Sequence, residues 1–420
     1  MKDNLKSGKT LIVIGGGAAG IFCAVNAARL CPSLQVVILE KSSKLLSKVK
    51  ISGGGRCNVT HACFDIPEMS EHYPRGKFFV RKTFHRFFTT DTVHWFEERG
   101  VQLKTEKDGR MFPVTDNSQT IIDCLMKEVN QYGISIRMNA EVRGLFKNQE
   151  HFVVDISGDR EMNADFVCIA CGGYPKATLF EWILKTGHHI ENPVPSLFTF
   201  NMPGNPLTKL MGIAVAAARI KIRKTKLEET GPLLITHWGL SGPVVLRLSA
   251  WGARELAATN WHFQVAVNWL PELNEQELRD RIRQVRFELA ANKMINKNPF
   301  GLPARLWEYM LQQSGIGKDL RWSDLPAKDQ NRLVGIITAA EFEIKGKTTF
   351  REEFVTAGGI RLNEVDAGTM MSKKIPGLYF AGEVLDVDGI TGGYNFQHAW
   401  TSGFIAAESI AAGADPSSPV

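Results

Sequence analysis

The apolar and polar positions of the first forty residues alternate in blocks that predict a strand, a tight turn, a helix and a second strand. Leu11 to Ile14 form an unbroken apolar run, as expected of a parallel strand covered on both faces. Ala19 to Leu30 is apolar through most of its length and predicts the following helix. Gln35 to Leu39 predicts the second strand, closing a β-α-β unit in about thirty residues. Residues 41–62, rich in Lys, Ser and Gly, read as a long loop. Helical patterns return over Lys77 to Phe88 and Asp91 to Arg99, a hairpin through Gly109 follows, and Asn117 is placed to cap a helix running to Tyr132. Strand patterns recur near Ile134 and over Glu141 to Phe146, His151 to Ile156 and Phe166 to Ala170.

After about Pro195 the pattern changes. Phe198 to Met202, Ile213 to Arg223, Leu233 to Thr236 and Trp261 to Trp269 read as strands separated by turns. Helical periodicity then takes over in Glu275 to Ala291, Pro303 to Gln313 and Lys328 to Ala339. From about Phe350 to Ala412 the glycine-rich strand-then-helix texture of the N-terminus resumes. These shifts predict an α/β protein whose nucleotide domain is discontinuous, residues 1–195 and 350–420. The insertion, 196–349, would be substrate-side, β-rich over 196–270 and helical over 271–340.

Length agrees with that division, since 420 residues exceed what one core usually holds. The 38 glycines cluster near Gly15, Gly53, Gly172, Gly358 and Gly392, where backbone has to approach a ligand. Net charge is +6 and no block of five or more like charges occurs, so a dedicated nucleic-acid arm is not expected. Arg219, Lys221 and Arg223 alternate along a strand and read as a solvated basic face, with an anion contact as the alternative. Seven unpatterned cysteines suit a reducing compartment, and the expected location is the cytoplasm. The uncharged run from Leu11 to Ala28 is broken by four glycines, so it reads as neither a targeting nor a membrane segment. The histidines are scattered, and no metal cluster is expected.

Gly15-Gly16-Gly17-Ala18-Ala19-Gly20 matches G-x-G-x-x-G between a strand and a helix. In such a turn the first glycine allows the sharp bend and the second admits a pyrophosphate. The third lets the helix pack on the strand, and the helix N-terminus faces the phosphates. Glu40, twenty residues after Gly20, is positioned to accept from both ribose hydroxyls, which disfavours a 2′-phosphate. Gly15, Gly17, Ala18, Ala19, Gly20 and Glu40 are therefore assigned to a dinucleotide. This unit alone is compatible with NAD or FAD.

Gly377 to Glu383 distinguishes them. It is a short apolar strand ending in Gly382-Glu383, and it resembles the second fingerprint of FAD proteins, where a strand delivers an acid to the ribityl and pyrophosphate groups. Glu383 stands where that pattern usually has Asp. Beyond it, Gly392-Gly393-Tyr394-Asn395 opens a helix whose N-terminus suits the negative charge of a reduced flavin.

Ser52-Gly53-Gly54-Gly55-Arg56-Cys57-Asn58, behind the Lys-rich stretch, suits backbone wrapped around a pyrophosphate or flavin ring. Taken with Gly109-Arg110-Met111-Phe112-Pro113, Thr236 to Pro243, Val355 to Ile360 and Gly377 to Gln397, it resembles the BaiN/RdsA (YhiN-like) NAD(P)/FAD-dependent oxidoreductases. That resemblance spans nearly the whole chain. It implies a Rossmann-type FAD-binding domain of the two-dinucleotide-binding-domain flavoprotein type, interrupted by a β-barrel-like and helical region. It also implies bound FAD and NAD(P)H as a transient reductant. The cofactor set is completed by Lys41, Lys48, Ser52, Gly53, Gly54, Arg56, Cys57, Asn58, Gly172, Gly382, Glu383, Gly392, Gly393, Tyr394 and Asn395. The turn at Cys171-Gly172-Gly173 departs from a Thr-Gly-Gly type but keeps its glycine pair.

Two residues are candidates for the chemistry. His237 is either a general acid or a side chain that holds its turn, and Arg110 either binds an anionic group or pairs with a carboxylate. Cys57 and Cys63 lack the spacing of a redox pair, and Cys168 and Cys171 read as core thiols. The expected activity is FAD-dependent oxidation or reduction of a small organic molecule. The alternatives are a flavin-dependent tRNA-modifying protein and an oxygen-using oxidase.

Overall fold

The computed structural model describes residues 8–158, 160–348 and 355–415. By internal packing the chain divides into two compact units: Met1–Pro195 with Arg351–Val420, and Ser196–Phe350. The first residues of the predicted C-terminal segment, 350–354, and the last, 416–420, lie outside the described residues.

The first unit is built on a five-stranded sheet. Its central strand, β1 (Thr10–Ile14), pairs in parallel with Phe166–Ile169 on one side and with β2 (Gln35–Leu39) on the other. Leu378–Phe380 and Ser135–Arg137 extend the sheet at either edge, also in parallel. Leu11, Ile12 and Val13 are fully buried, which is why this strand carries no alternation. Helix α1 (Ala18–Leu30) is apolar nearly all round because it lies between neighbours, and its lone buried amide, Asn26, is satisfied by Phe22 O and Trp95 Nε1. The long C-terminal helix Tyr394–Ala414 crosses α1 closely: a Cβ on Gly403 would lie 2.7 Å from Ala19 O. Three antiparallel strands, Val142–Lys147, Phe152–Ile156 and Arg160–Ala164, form a separate sheet.

Several features depart from the sequence reading: the helix expected over Lys77 to Phe88 ends at Thr83, and Ile66–Ser70 form a short helix where the sequence reading has none. Residues 41–62 are not a plain loop but hold helix α2 (Ser47–Gly55), kinked at Ser52–Gly54, and a two-residue strand, Thr60–His61. Burial of Leu46 and Val49 supports that helix despite its polar composition. The strand Arg160–Ala164 went unread because most of its side chains face solvent.

The second unit carries a seven-stranded sheet. Ala214–Ile222 pairs with Glu228–Ile235 and with His262–Asn268, and buries Ile220, Ile222, Leu233, Ile235, Val265 and Val267. The edge strands are Ala340–Lys345 and Lys347–Thr348, joined by Gly346 alone at φ +94°. Two edges one residue apart require the sheet to curl on itself, which is the barrel-like form. Helices Glu275–Glu288, Ala304–Gln313 and Ala327–Ala339 supply the helical part, with Trp307 and Trp322 stacked in their core at 6.1 Å.

Candidate functional site

The turn between β1 and α1 shows three glycines with three different duties. Gly15 has φ +116°, and a Cβ there would meet Ala170 O at 2.4 Å. On Gly20 a Cβ would sit 2.0 Å from Gly15 O, so a side chain would lever α1 off the strand. Gly17, the N-cap of α1, faces open space: nothing lies within 4 Å of its missing Cβ. That is the geometry of a cradle that admits a phosphate at a helix N-terminus. Ala18 and Ala19 form the first turn behind it, and a Cβ on Gly382, the other glycine turn, would touch Ala19 Cβ at 2.7 Å.

Glu40 follows directly on β2 and folds back on the same turn. Its Oε2 accepts from Gly16 N at 2.8 Å, and Oε1 accepts from Ser42 N and Oγ at 2.8 Å. A cavity opens beside it, walled by Leu39, Lys41, Val142, Cys171, Tyr174 and Trp182. Lys41 Nζ stands 4.9 Å from the centre of the Tyr174 ring. Burial pushes the Cys171 thiol up to about 11, so it is a neutral wall and not a nucleophile. Gly172, at φ +75°, faces open space like Gly17.

Glu383 is the meeting point of distant segments. Lys48 of α2 pairs with its Oε2, and its Oε1 accepts from Thr356 N at 2.9 Å. Gly173 lies against both, a Cβ there being 2.6 Å from Thr356 Oγ1 and 2.9 Å from Glu383 Oε1. Thr356 Oγ1 itself is buried and makes no hydrogen bond.

Gly53, Gly54 and Gly55 follow one another at φ +60°, +70° and +85°, and Cys57 joins them at +62°. Gly53 is pressed on Phe112, while Gly54 and Gly55 face open space. Ser52 caps the preceding turn through Val49 O and accepts from Cys57 N through its carbonyl. Arg56 stacks 4.0 Å over Phe112 and binds Glu106 at 2.5 Å, which holds its guanidinium above the ordinary range. Arg110 takes the other Glu106 oxygen at 2.9 Å and Asp108 at 2.8 Å. Burial pushes the Cys57 thiol up to about 12. All seven cysteines are free thiols.

The Gly392–Gly393 turn opens the C-terminal helix. With its amide set to satisfy both neighbours, Asn58 accepts from Gly393 N at 2.9 Å and donates to Thr60 O at 3.0 Å. Asn395 clips the preceding loop through both Gly389 N and O, at 2.8 and 2.9 Å. Tyr394 is buried among His61, His72 and Tyr73, and its carbonyl accepts from Tyr73 Oη at 2.6 Å. Sequence reasoning missed His61, His72 and the buried Arg75–Asp388 ion pair that ties residue 75 to this loop. Their partners lie more than three hundred residues away in the chain, and no local motif marks them.

His237 belongs to the second unit, on an exposed turn beside Trp238, with ring centroids 4.3 Å apart. Thr236 closes that turn, its Oγ1 accepting from Trp238 N at 3.3 Å and Gly239 N at 3.2 Å. Among the described residues no group of His, Cys, Asp or Glu could hold a metal, and no helix is long and apolar enough to cross a membrane.

A doubly glycine-turned Rossmann sheet of this kind defines a dinucleotide-binding flavoprotein. The chain belongs to the HI0933-like protein Rossmann-domain family, whose pattern matches residues 9–409. It is 30% identical over 416 residues to a 3-dehydro-bile acid delta(4,6)-reductase of Clostridium scindens, covering 95% of this chain and 98% of that one. It is 31% identical over 412 residues to a ribosomal RNA dihydrouridine synthase of Escherichia coli, covering 96% and 98%. Its fold resembles the 3-ketosteroid-delta4-(5alpha)-dehydrogenase of Rhodococcus jostii, with TM-score 0.51, 12% identity and 96% of each chain covered. The protein is a FAD-dependent oxidoreductase. The open faces of Gly17, Gly54 and Gly172 fit that cofactor.

Proposed function

We propose that this protein reduces a carbon–carbon double bond conjugated to a carbonyl, with NAD(P)H as the source of electrons. FAD, when bound, supplies the capacity to take up and pass on a hydride. The chain's own contribution is to hold that cofactor through Gly15, Gly17, Gly20, Glu40, Lys48, Glu383 and the Ser52–Asn58 loop. The helix opening at Gly392–Gly393 favours negative charge at its N-terminus, as a reduced ring carries, and this arrangement is the observation that carries the reading. A delta(4,6)-reductase and a dihydrouridine synthase share one reaction class, net addition of hydride and a proton across a double bond, and this supports it.

The leading substrate is a small conjugated carbonyl compound. A uridine within RNA is the second reading, favoured by the Escherichia coli relative. The strand Arg219 to Arg223 does not favour it, because Glu228 and Glu341 already face those cations at 2.7–3.9 Å. His237 is the proposed proton donor; the hydrogen bonds that close its turn are made by Thr236 Oγ1. Arg110 could take a substrate anion only by giving up Asp108 and Glu106.

The test is anaerobic. The yellow protein is bleached with NADH or NADPH, then mixed with a conjugated enone or with a uridine-containing ribosomal RNA fragment. Return of the oxidised flavin spectrum with the enone supports the leading reading, and return with RNA alone moves the assignment to the second. Return with oxygen alone, with peroxide formed, makes the protein an oxidase and ends both.

A further inference from the structure

The segment Asn58–His61 grips the Gly392–Gly393 turn at consecutive points. Asn58 accepts from the Gly393 N–H, and Thr60 O lies so close that a Cβ on Gly393 would be 2.4 Å from it. His61 Nδ1 bonds the Gly392 carbonyl at 2.9 Å. A carbonyl only accepts, so Nδ1 is the donor whatever the charge on the ring. The imidazole has little freedom to leave. It stacks on Tyr394 with centroids 4.7 Å apart and planes 22° apart. On its other edge Gly109 comes so near that a Cβ there would be 2.4 Å from Nε2. The pairing of Thr60–His61 with Arg110–Pro113 fixes the backbone from which it reaches.

We infer that His61 is a positioning residue for the flavin end of the FAD site. By holding the Gly392 carbonyl it keeps the glycine turn, and with it the amide end of the helix Tyr394–Ala414, in the orientation that receives the ring. The inference rests on FAD occupancy and not on the choice of substrate, so it survives failure of the reductase reading. Three variants of the full chain separate the donor from the ring. Nδ2 of an asparagine stands as many bonds from Cα as Nδ1 of histidine does. His61→Asn therefore keeps a donor without the aromatic stack, His61→Phe keeps a ring without the donor, and His61→Ala keeps neither.

The measurements are FAD affinity, by titrating FAD into apoprotein, and the flavin midpoint potential, by dye equilibration. Loss of one net hydrogen bond predicts that Ala and Phe bind FAD about five- to tenfold more weakly, with a more negative midpoint. Asn stays within about twofold of wild type. If His61→Ala fails to fold, the Asn and Phe pair decides alone. Affinity and potential that follow the ring, with Phe like wild type and Asn impaired, overturn the inference. So do values unchanged in all variants.

Discussion

Lys48 and Glu383, 335 residues apart in the sequence, form an ion pair between α2 and the second glycine turn. The two residues do not carry equal weight. Lys48 is nearly half exposed, so the pair is worth at most about 1 kcal/mol to folding. Glu383 also accepts from the partly buried Thr356 N–H. Glu383→Ala is expected to lower thermal stability by about 1–3 kcal/mol and to weaken FAD retention, while Lys48→Ala leaves the melting temperature nearly unchanged. Thermal unfolding of the two apoproteins checks this, and equal losses would show that the Thr356 contact is idle.

Glycine substitutions should sort by what a methyl group meets. Gly17→Ala has free space around the new carbon and an ordinary φ of −88°, so apoprotein stability should change by no more than about 1 kcal/mol. FAD binding should nonetheless fall at least about tenfold, because the methyl fills the approach to the helix N-terminus. Gly20→Ala should fail more broadly, since its methyl collides with Gly15 O. Denaturant midpoints and FAD fluorescence quenching separate the two. A Gly17→Ala protein with full FAD affinity would remove that glycine from the cofactor site.

Acid should destabilise the protein well before its carboxylates protonate. Burial holds His188 and His398 down to about 4. His188 bonds Thr186 and Ser372, and His398 meets Gly382 O. Between about 6.5 and 4 the unfolded chain binds protons on these rings that the folded chain refuses. Stability is then full above about 6.5 and declines as pH falls, by about 1.4 kcal/mol per pH unit for each histidine. Urea midpoints at pH 7.5 and 5.0 measure it. A flat profile over that span would show that both rings accept protons in place.

The cysteines should be spectators of the redox cycle. Cys57 is buried with its thiol held high, and Cys63 is likewise shifted up by burial. Cys57→Ser is expected to keep the activity, and anaerobic dithionite titration should consume only the electrons the flavin accounts for. Extra equivalents lost on Cys57→Ser would establish a thiol couple.

The legible parts of this protein were those whose physics is local. Gly15 and Gly20 announce themselves because no other residue tolerates their backbone or their neighbours, Gly17 by its spacing between them, and Glu40 follows from the length of one β-α-β unit. Leu378–Phe380 was readable for the same reason, an apolar strand ending in glycine and an acid. What stayed hidden was contact across the chain. Nothing near His61 says that it meets Gly392, and nothing in Gly-Arg-Met-Phe-Pro says that Arg110 and Arg56 share Glu106. Polar composition also concealed α2, in which Val49 alone is buried, by the fold and not by a periodic apolar face.

Everything chemical depends on FAD seated between the two glycine turns of the first unit. Titrating FAD into the wild-type apoprotein, followed by the visible flavin bands, measures this directly. One FAD per chain with the bands perturbed from those of free flavin is the predicted result. A protein that remains colourless after excess FAD is added and washed away would contradict the account.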